Sequence, residues 1–329
     1  MPRVLVCARS FRQVRGDHWR ALEDAHFEIV TPQQDLPLRG RELVELVGDV
    51  DALLVGMDEV TASVIESATR LKVVSKHGAG VDNIDVAAAT RAGVVVTNTP
   101  GANQGAVAEL TMGLILAALR QLPYHDGLVK SGGWSRRIGT ELGGRTVGLV
   151  GLGRIGKEVA LRLEGFRVSL IAHDTVPDES FASQHHIMFV PLKELLGRSD
   201  VVTLHAALTP QSRNLIGPDE LACMKPNAYL INTARGGLVD EEALFAALKE
   251  GRLAGAALDV FADEPPTDSP LLQLGDKVLL TPHLGAQTTE TVIRMGRAAA
   301  QCIVDVLAGR RPEGLVNPEV YDTGVQALR

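Results

Sequence analysis

Arg235, Glu264 and His283 are side chains whose types and order could carry out a reaction. Each lies in a segment flanked by glycine or proline: Asn232-Thr233-Ala234-Arg235-Gly236-Gly237, Asp259-Val260-Phe261-Ala262-Asp263-Glu264-Pro265 and Pro282-His283-Leu284-Gly285-Ala286. A guanidinium presents a planar fork that grips a carboxylate through two parallel hydrogen bonds. An imidazole exchanges a proton near neutral pH, and a neighbouring carboxylate orients it and favours its charged form. A guanidinium, a carboxylate and an imidazole together suit protonation of a carbonyl oxygen while hydride reaches the carbonyl carbon, the reduction of a 2-oxo acid.

Hydride needs a donor, and the sequence carries a dinucleotide turn. Gly151-Leu152-Gly153-Arg154-Ile155-Gly156 follows the apolar run Thr146–Val150 and opens a helical pattern. In that context Gly151 makes the tight turn, Gly153 leaves room for a pyrophosphate, and Gly156 lets helix and strand pack closely. The N–H groups of Arg154 and Ile155 then face the phosphate at a helix N-terminus. Asp174 stands 18 residues beyond Gly156, at the end of the next strand-like run. A carboxylate there accepts both ribose hydroxyls of NAD and repels the 2′-phosphate of NADP, so NAD is the expected cofactor. His205, in Leu204-His205-Ala206-Ala207, is a rival acid that fits better as a wall of the cofactor site. His77 is a second rival, in the loop Ser75–Asn83, and counts with that loop among the substrate-binding candidates. The backbone of Gly78, Ala79 and Gly80 in that loop forms a nest for an anion, the substrate carboxylate.

These residues need strands that end together. Val4–Cys7, Phe27–Val30, Ala52–Val55, Lys72–Ser75 and Val94–Thr97 read as short buried strands, with helices over Asp17–Ala25, Gly40–Val47, Thr61–Ser67 and Asp85–Ala92 between them. A longer buried helix spans about Gln104–Arg120, and Lys130–Trp134 reads as a turn or arm. A second series has strands at Thr146–Val150, Val168–Ala172, Val201–Leu204, Tyr229–Asn232, Ala256–Leu258 and Val278–Thr281, before a last helix over Thr288–Leu307. Repeated βα units imply α/β architecture with parallel sheets. Arg235, Glu264 and His283 all follow such strands, so they can converge on one sheet edge.

Composition narrows the class. The 329 residues can bury one large or two medium cores, and aromatics at 4% suit close α/β packing. A net charge of −7 argues against a nucleic-acid surface. Cys7, Cys223 and Cys302 are isolated and odd in number, which indicates neither a disulfide framework nor a metal site. The apolar run before Arg9 is too short for a signal peptide, and Leu110–Leu119 is too short to span a bilayer, so a cytoplasmic protein with no membrane partner is expected.

From about Leu53 to Pro318 the sequence resembles the D-isomer-specific 2-hydroxyacid dehydrogenases, closest to the D-3-phosphoglycerate dehydrogenase branch. Asn98-Thr99-Pro100, Ala108-Glu109-Leu110-Thr111, Gly139-Thr140-Glu141-Leu142, the glycine turn and the Arg235, Glu264 and His283 motifs carry the likeness in family order. The resemblance implies two Rossmann-like doubly wound domains with the active site in the cleft between them. They are a discontinuous substrate-binding domain (1–100 and 288–329) and an NAD-binding domain (101–287), assembled as a homodimer. It implies that Arg235 binds and polarises the 2-oxo acid, that Glu264 supports His283, and that His283 donates the proton. Thr209, Thr233, Ala234, Asp259, His283, Gly285 and Ala286 match cofactor-lining positions. The end soon after Asn317-Pro318 implies the short form without a regulatory extension.

The sequence departs from that branch after the third strand, where Leu54-Val55-Gly56-Met57 lacks the usual phosphate-holding arginine. Arg9 and Arg12 follow the first strand instead, and Lys76 precedes the glycine loop, so these cations are candidates for a second substrate anion, a phosphate or phosphonate. The expected substrate is phosphohydroxypyruvate-like or phosphonopyruvate-like. The alternatives are hydroxypyruvate or glyoxylate and, in another class, a catalytically silent NAD-sensing regulator.

Overall fold

A computed structural model describes residues 1–34 and 37–322. The chain divides into two compact units, Met1–Asn103 with Ala286–Arg329, and Gln104–Gly285.

The first unit is built on a five-stranded parallel sheet of β1 (Arg3–Val6), β2 (Glu28–Val30), β3 (Ala52–Val55), β4 (Val73–Lys76) and β5 (Val95–Thr97), in the order β2-β1-β3-β4-β5. Strands covered on both faces read as continuous apolar runs, and successive side chains point to opposite sides. Leu53 and Val74 accordingly enter the core on one face with Leu43, Val64 and Ile65, while Leu54 and Val73 enter the other with Phe11, Trp19 and Leu22. The helix Thr289–Leu307 joins this second core through Ala299, Ala300, Ile303 and Val306. The chain thus returns to its first sheet, a return that the late amphipathic pattern permits but does not require.

The second unit carries a seven-stranded parallel sheet of β6 (Thr146–Val150), β7 (Ser169–His173), β8 (Met188–Phe189), β9 (Val201–Leu204), β10 (Tyr229–Asn232), β11 (Gly255–Leu258) and β12 (Val278–Leu280), in the order β12-β11-β10-β9-β6-β7-β8. The helix Gln104–Leu119 belongs to this unit. It packs on the helix Arg154–Glu164 and on β10 and β11 through residues such as Ala108, Met112 and Ile115. Strand order reverses between β6 and β9, which opens a crevice at the carboxyl ends of those strands.

Some elements go beyond the sequence reading. Arg9–Gln13, after the first strand, is a short helix. Leu122–Lys130 is helical, with Pro123 in its first turn, where a missing N–H does no harm. β8 is two residues long and sits at the sheet edge. Among the described residues no single helix is long and apolar enough to cross a membrane.

Candidate active site

β10, β11 and β12 are adjacent and parallel, so their carboxyl ends lie side by side. Arg235 leaves β10, Glu264 follows β11, and His283 follows β12. Glu264 Oε2 lies 2.8 Å from His283 Nδ1, and Glu264 Oε1 accepts from the Phe261 N–H at 3.1 Å. A carboxylate only accepts, so Nδ1 carries the hydrogen and Nε2 is left to pass a proton. Both side chains are about a quarter exposed, at 29% and 24%, enough for a substrate to reach them.

The backbone around His283 is held tightly. Its φ is 54°, in the left-handed region that a non-glycine residue seldom adopts without outside support. Asp259, at the end of β11 and fully buried, supplies that support. Its Oδ1 accepts from Thr281 Oγ1 at 2.6 Å and from the Leu284 N–H at 2.7 Å, and its Oδ2 accepts from the Gly285 N–H at 2.8 Å. Its carbonyl accepts from the His283 N–H at 2.8 Å. Burial pushes the Asp259 carboxyl up from its ordinary value, against the pull of those hydrogen bonds. Asp259 therefore clamps the His283 loop.

Arg235 is half-buried and opens a 3-10 turn over Gly236–Leu238. Asn232 pins that turn: its Oδ1 accepts from the Ala234 N–H at 3.0 Å and its Nδ2 donates to the Arg235 carbonyl at 2.9 Å. A Cβ on Gly236 would collide with the backbone of Phe261 and Ala262, so the glycine lets the Arg235 turn lie against the segment that carries Glu264. Sequence reading missed Asn232 and Thr281 as site residues. A buried polar residue at a strand's last position was the available signal for Asn232.

The dinucleotide features gather around β6, β7 and β9. Gly151 has φ +95°, and a Cβ there would lie 2.7 Å from the backbone of His205 and Ala206. Gly156 packs so closely that its Cβ would meet the Gly151 carbonyl. Around Gly153 there is open space, with no heavy atom within 4 Å of an added Cβ. Arg154 and Ile155 begin the helix behind it. Asp174, half-buried at the end of β7, turns back on the glycine turn, accepting from the Leu152 N–H at 2.6 Å and the Val176 N–H at 2.9 Å. A carboxylate has further lone pairs for ribose hydroxyls. These residues fit a dinucleotide: Gly151, Gly153 and Gly156 would shape the phosphate cradle, and Asp174 would take the ribose.

His205 Nε2 pairs with Thr203 Oγ1 at 3.0 Å, whereas its buried Nδ1 has no protein partner among the described residues. Burial holds the ring down to about 3, so it is neutral at pH 7 and unsuited to be the acid. Thr233 is buried, 2.8 Å from Thr111 Oγ1, and Thr209 is exposed in a turn with Ser212. Gly285 is buried under the His283 loop, and Ala286 lies in the first unit.

In that first unit Gly78, Ala79 and Gly80 follow β4 as expected, and among the described residues the Ala79 and Gly80 N–H groups have no protein acceptor. Their neighbours differ from expectation. Lys76 is buried and donates to the Gly56 carbonyl at 2.5 Å and to Asn83 Oδ1 at 2.6 Å. The His77 ring is buried, with Nδ1 3.2 Å from Ser10 Oγ and Nε2 3.1 Å from the Val292 carbonyl. Burial holds that ring down to about 4, so it is neutral at pH 7. Lys76 and His77 therefore lie under the loop rather than on its surface, and His77 is no rival acid. Arg12 is half-buried and donates to the Gln34 carbonyl at 3.0 Å and the Pro32 carbonyl at 3.4 Å, while Arg9 is exposed.

Residues 112–285 match the model of the D-isomer specific 2-hydroxyacid dehydrogenase, NAD binding domain. D-3-phosphoglycerate dehydrogenase of Methanocaldococcus jannaschii is 48% identical over 284 residues, covering 85% of this chain and 54% of that protein. The chain thus spans about half the length of that relative. Glyoxylate reductase of Korarchaeum cryptofilum is 40% identical over 327 residues and covers 97% of both chains. Among solved structures, a Thermus thermophilus protein superposes with a TM-score of 0.86 at 37% identity, covering 95% of this chain and 99% of its own.

Proposed function

Since the chain belongs to the D-isomer-specific 2-hydroxyacid dehydrogenases and contains their NAD-binding domain, we propose that it interconverts a 2-oxo acid and a D-2-hydroxy acid with NAD. The observation that carries this reading is the Glu264–His283 pair at 2.8 Å, with Arg235 on the neighbouring strand end. Bound NADH supplies the hydride. The Arg235 guanidinium binds the 2-oxo acid and draws charge toward its oxygens. His283 donates its Nε2 proton to the carbonyl oxygen as that oxygen becomes an alcohol, and in the reverse direction it takes the proton back. Glu264 keeps Nδ1–H engaged, so Nε2 is the atom presented, and its negative charge favours the imidazolium that acts as acid.

The order of candidate substrates in this reading rests on the burial of the three cations. Of the three candidates, Lys76 is buried and Arg12 donates to backbone carbonyls, whereas Arg9 is exposed. Hydroxypyruvate and glyoxylate are therefore the first substrates in this reading. A phosphorylated or phosphonate acid is the second, supported by the identity to the Methanocaldococcus enzyme and dependent on Arg9. The reading also includes a homodimer, whose second copy would cover the exposed Trp134 and Ile138.

The test is NADH oxidation across a panel of glyoxylate, hydroxypyruvate, phosphohydroxypyruvate and phosphonopyruvate. Turnover of at least one with formation of the D-hydroxy acid is expected. NADH binding with no turnover of any would replace the enzyme by a silent NAD-sensing regulator.

A further inference from the structure

We propose that His77 is a positioning residue, a neutral single-tautomer latch that fixes the Gly78–Gly80 loop so that the Ala79 and Gly80 N–H groups stay aimed at the substrate carboxylate. The inference rests on the reading above in that its ligand is the carboxylate of a 2-oxo acid. Its evidence lies within the first unit. A carbonyl only accepts, so the 3.1 Å contact with the Val292 oxygen requires hydrogen on Nε2. Nδ1 is then an acceptor, and the Ser10 hydroxyl, 3.2 Å away, donates to it. Both ring nitrogens are satisfied in one tautomer, and the Phe11 ring closes the remaining side edge-on, with centroids 5.8 Å apart. The ring thus ties the start of the loop to the helix Arg9–Gln13 and to the helix Thr289–Leu307.

Beyond His77 the loop has its own fastenings. The Gly78 N–H donates to Thr99 Oγ1 at 3.1 Å, the Thr99 N–H donates to the Gly78 carbonyl at 2.9 Å, and Asn98 Nδ2 donates to the Ala79 carbonyl at 2.6 Å. All three hold the loop to the end of β5. Among the described residues the His77 ring ties the loop to both helices, beside the Ser75 hydroxyl that donates to the Ala299 carbonyl at 2.9 Å, so removing the ring loosens one side of the nest while β4 and β5 keep their pairing. A nest gains its affinity from preset N–H directions, and loss of one side reorients both donors.

The experiment compares the full-length wild type with His77→Leu, which keeps an apolar body and removes both hydrogen bonds, and His77→Gln, whose amide donates where Nε2 did. Three quantities are measured: KM and kcat for a 2-oxo acid, Kd for NADH, and amide hydrogen exchange at Gly78 and Thr99. His77→Leu should raise KM by about ten-fold, what one hydrogen bond to a charged group is worth. Its kcat should stay within about three-fold and its NADH Kd should not change. Exchange at Gly78 and Thr99 should speed up by about ten-fold, and His77→Gln should recover most of both effects. An unchanged KM in His77→Leu overturns the proposal. So does a KM rise accompanied by an equal rise in NADH Kd and not recovered by glutamine, which marks a loss of folding alone. If the wild type reduces no 2-oxo acid, the reading of function fails by itself. Exchange then decides the latch: faster at Gly78 and Thr99 supports it, unchanged overturns it.

Discussion

Replacing Asp259 by asparagine tests how the reactive histidine is held. Asp259 accepts three hydrogen bonds, at 2.6, 2.7 and 2.8 Å, from Thr281, Leu284 and Gly285. An amide has one oxygen. Turned toward Thr281 and Leu284, it presents its NH2 to the Gly285 N–H, donor against donor. One charged hydrogen bond is lost, worth about 1.5–3 kcal/mol, and the other two fall to neutral strength, near 1 kcal/mol each. The carboxylate's burial cost, which raises its pKa, is relieved by the change and offsets part of the loss. A net cost of about 2–3 kcal/mol falls on the 281–285 loop, where His283 sits at φ 54°. If the imidazole then leaves Glu264, kcat drops by about 30- to 150-fold. The assay is steady-state turnover of a 2-oxo acid with saturating NADH, with circular dichroism to confirm folding. A folded Asp259→Asn protein within about three-fold of wild-type kcat would refute the clamp.

Asp174→Ala should relax the preference for NADH over NADPH, because the carboxylate at the end of β7 is what repels a 2′-phosphate; equal kcat/KM for the two cofactors in the unmodified protein would contradict this. Arg9→Ala should raise KM for phosphohydroxypyruvate or phosphonopyruvate by about ten-fold and leave glyoxylate unchanged, and equal effects on both kinds would remove Arg9 from the substrate site. Stability should fall in acid. His77, held down to about 4, and His205, held down to about 3, bind fewer protons folded than unfolded below the ordinary value of 6.5. Their stabilisation is complete above about pH 6.5 and is lost as pH falls toward those values. For His77 alone the loss by about pH 4 is about 3 kcal/mol. Urea midpoints between about pH 7 and pH 4 should show it, with a flatter slope in His77→Gln, and a slope unchanged by that substitution would show that His77 titrates normally.

The strands were legible in the sequence to within about a residue. In parallel sheets buried on both faces, apolar runs such as Ala52–Val55 and Val201–Leu204 have no other place to go. Strand β8 escaped because two edge residues form no pattern, and the helix Leu122–Lys130 because Pro123 and Gly127 read as breakers. Arg235, Glu264 and His283 were visible as ionisable residues just past strand ends. What could not be read was side-chain direction. Asp259 faces the His283 backbone rather than open space, and Lys76 and His77 turn under the loop they precede, because Gly56, Asn83, Ser10 and Val292 lie there. Those partners are remote in sequence, and only the folded sheet brings them together.

The most direct test of the account is turnover by His283→Ala measured beside its affinity for NADH. His283 belongs to the strand-end trio and meets Glu264 through Nδ1, while the dinucleotide cradle is built elsewhere, on β6 and β7. The variant should therefore bind NADH with a Kd within about three-fold of wild type and reduce a 2-oxo acid about 10²- to 10⁴-fold more slowly, the usual worth of a general acid. Near wild-type turnover in His283→Ala, with NADH still bound, would contradict the assignment of His283 as proton donor and the mechanism built on it.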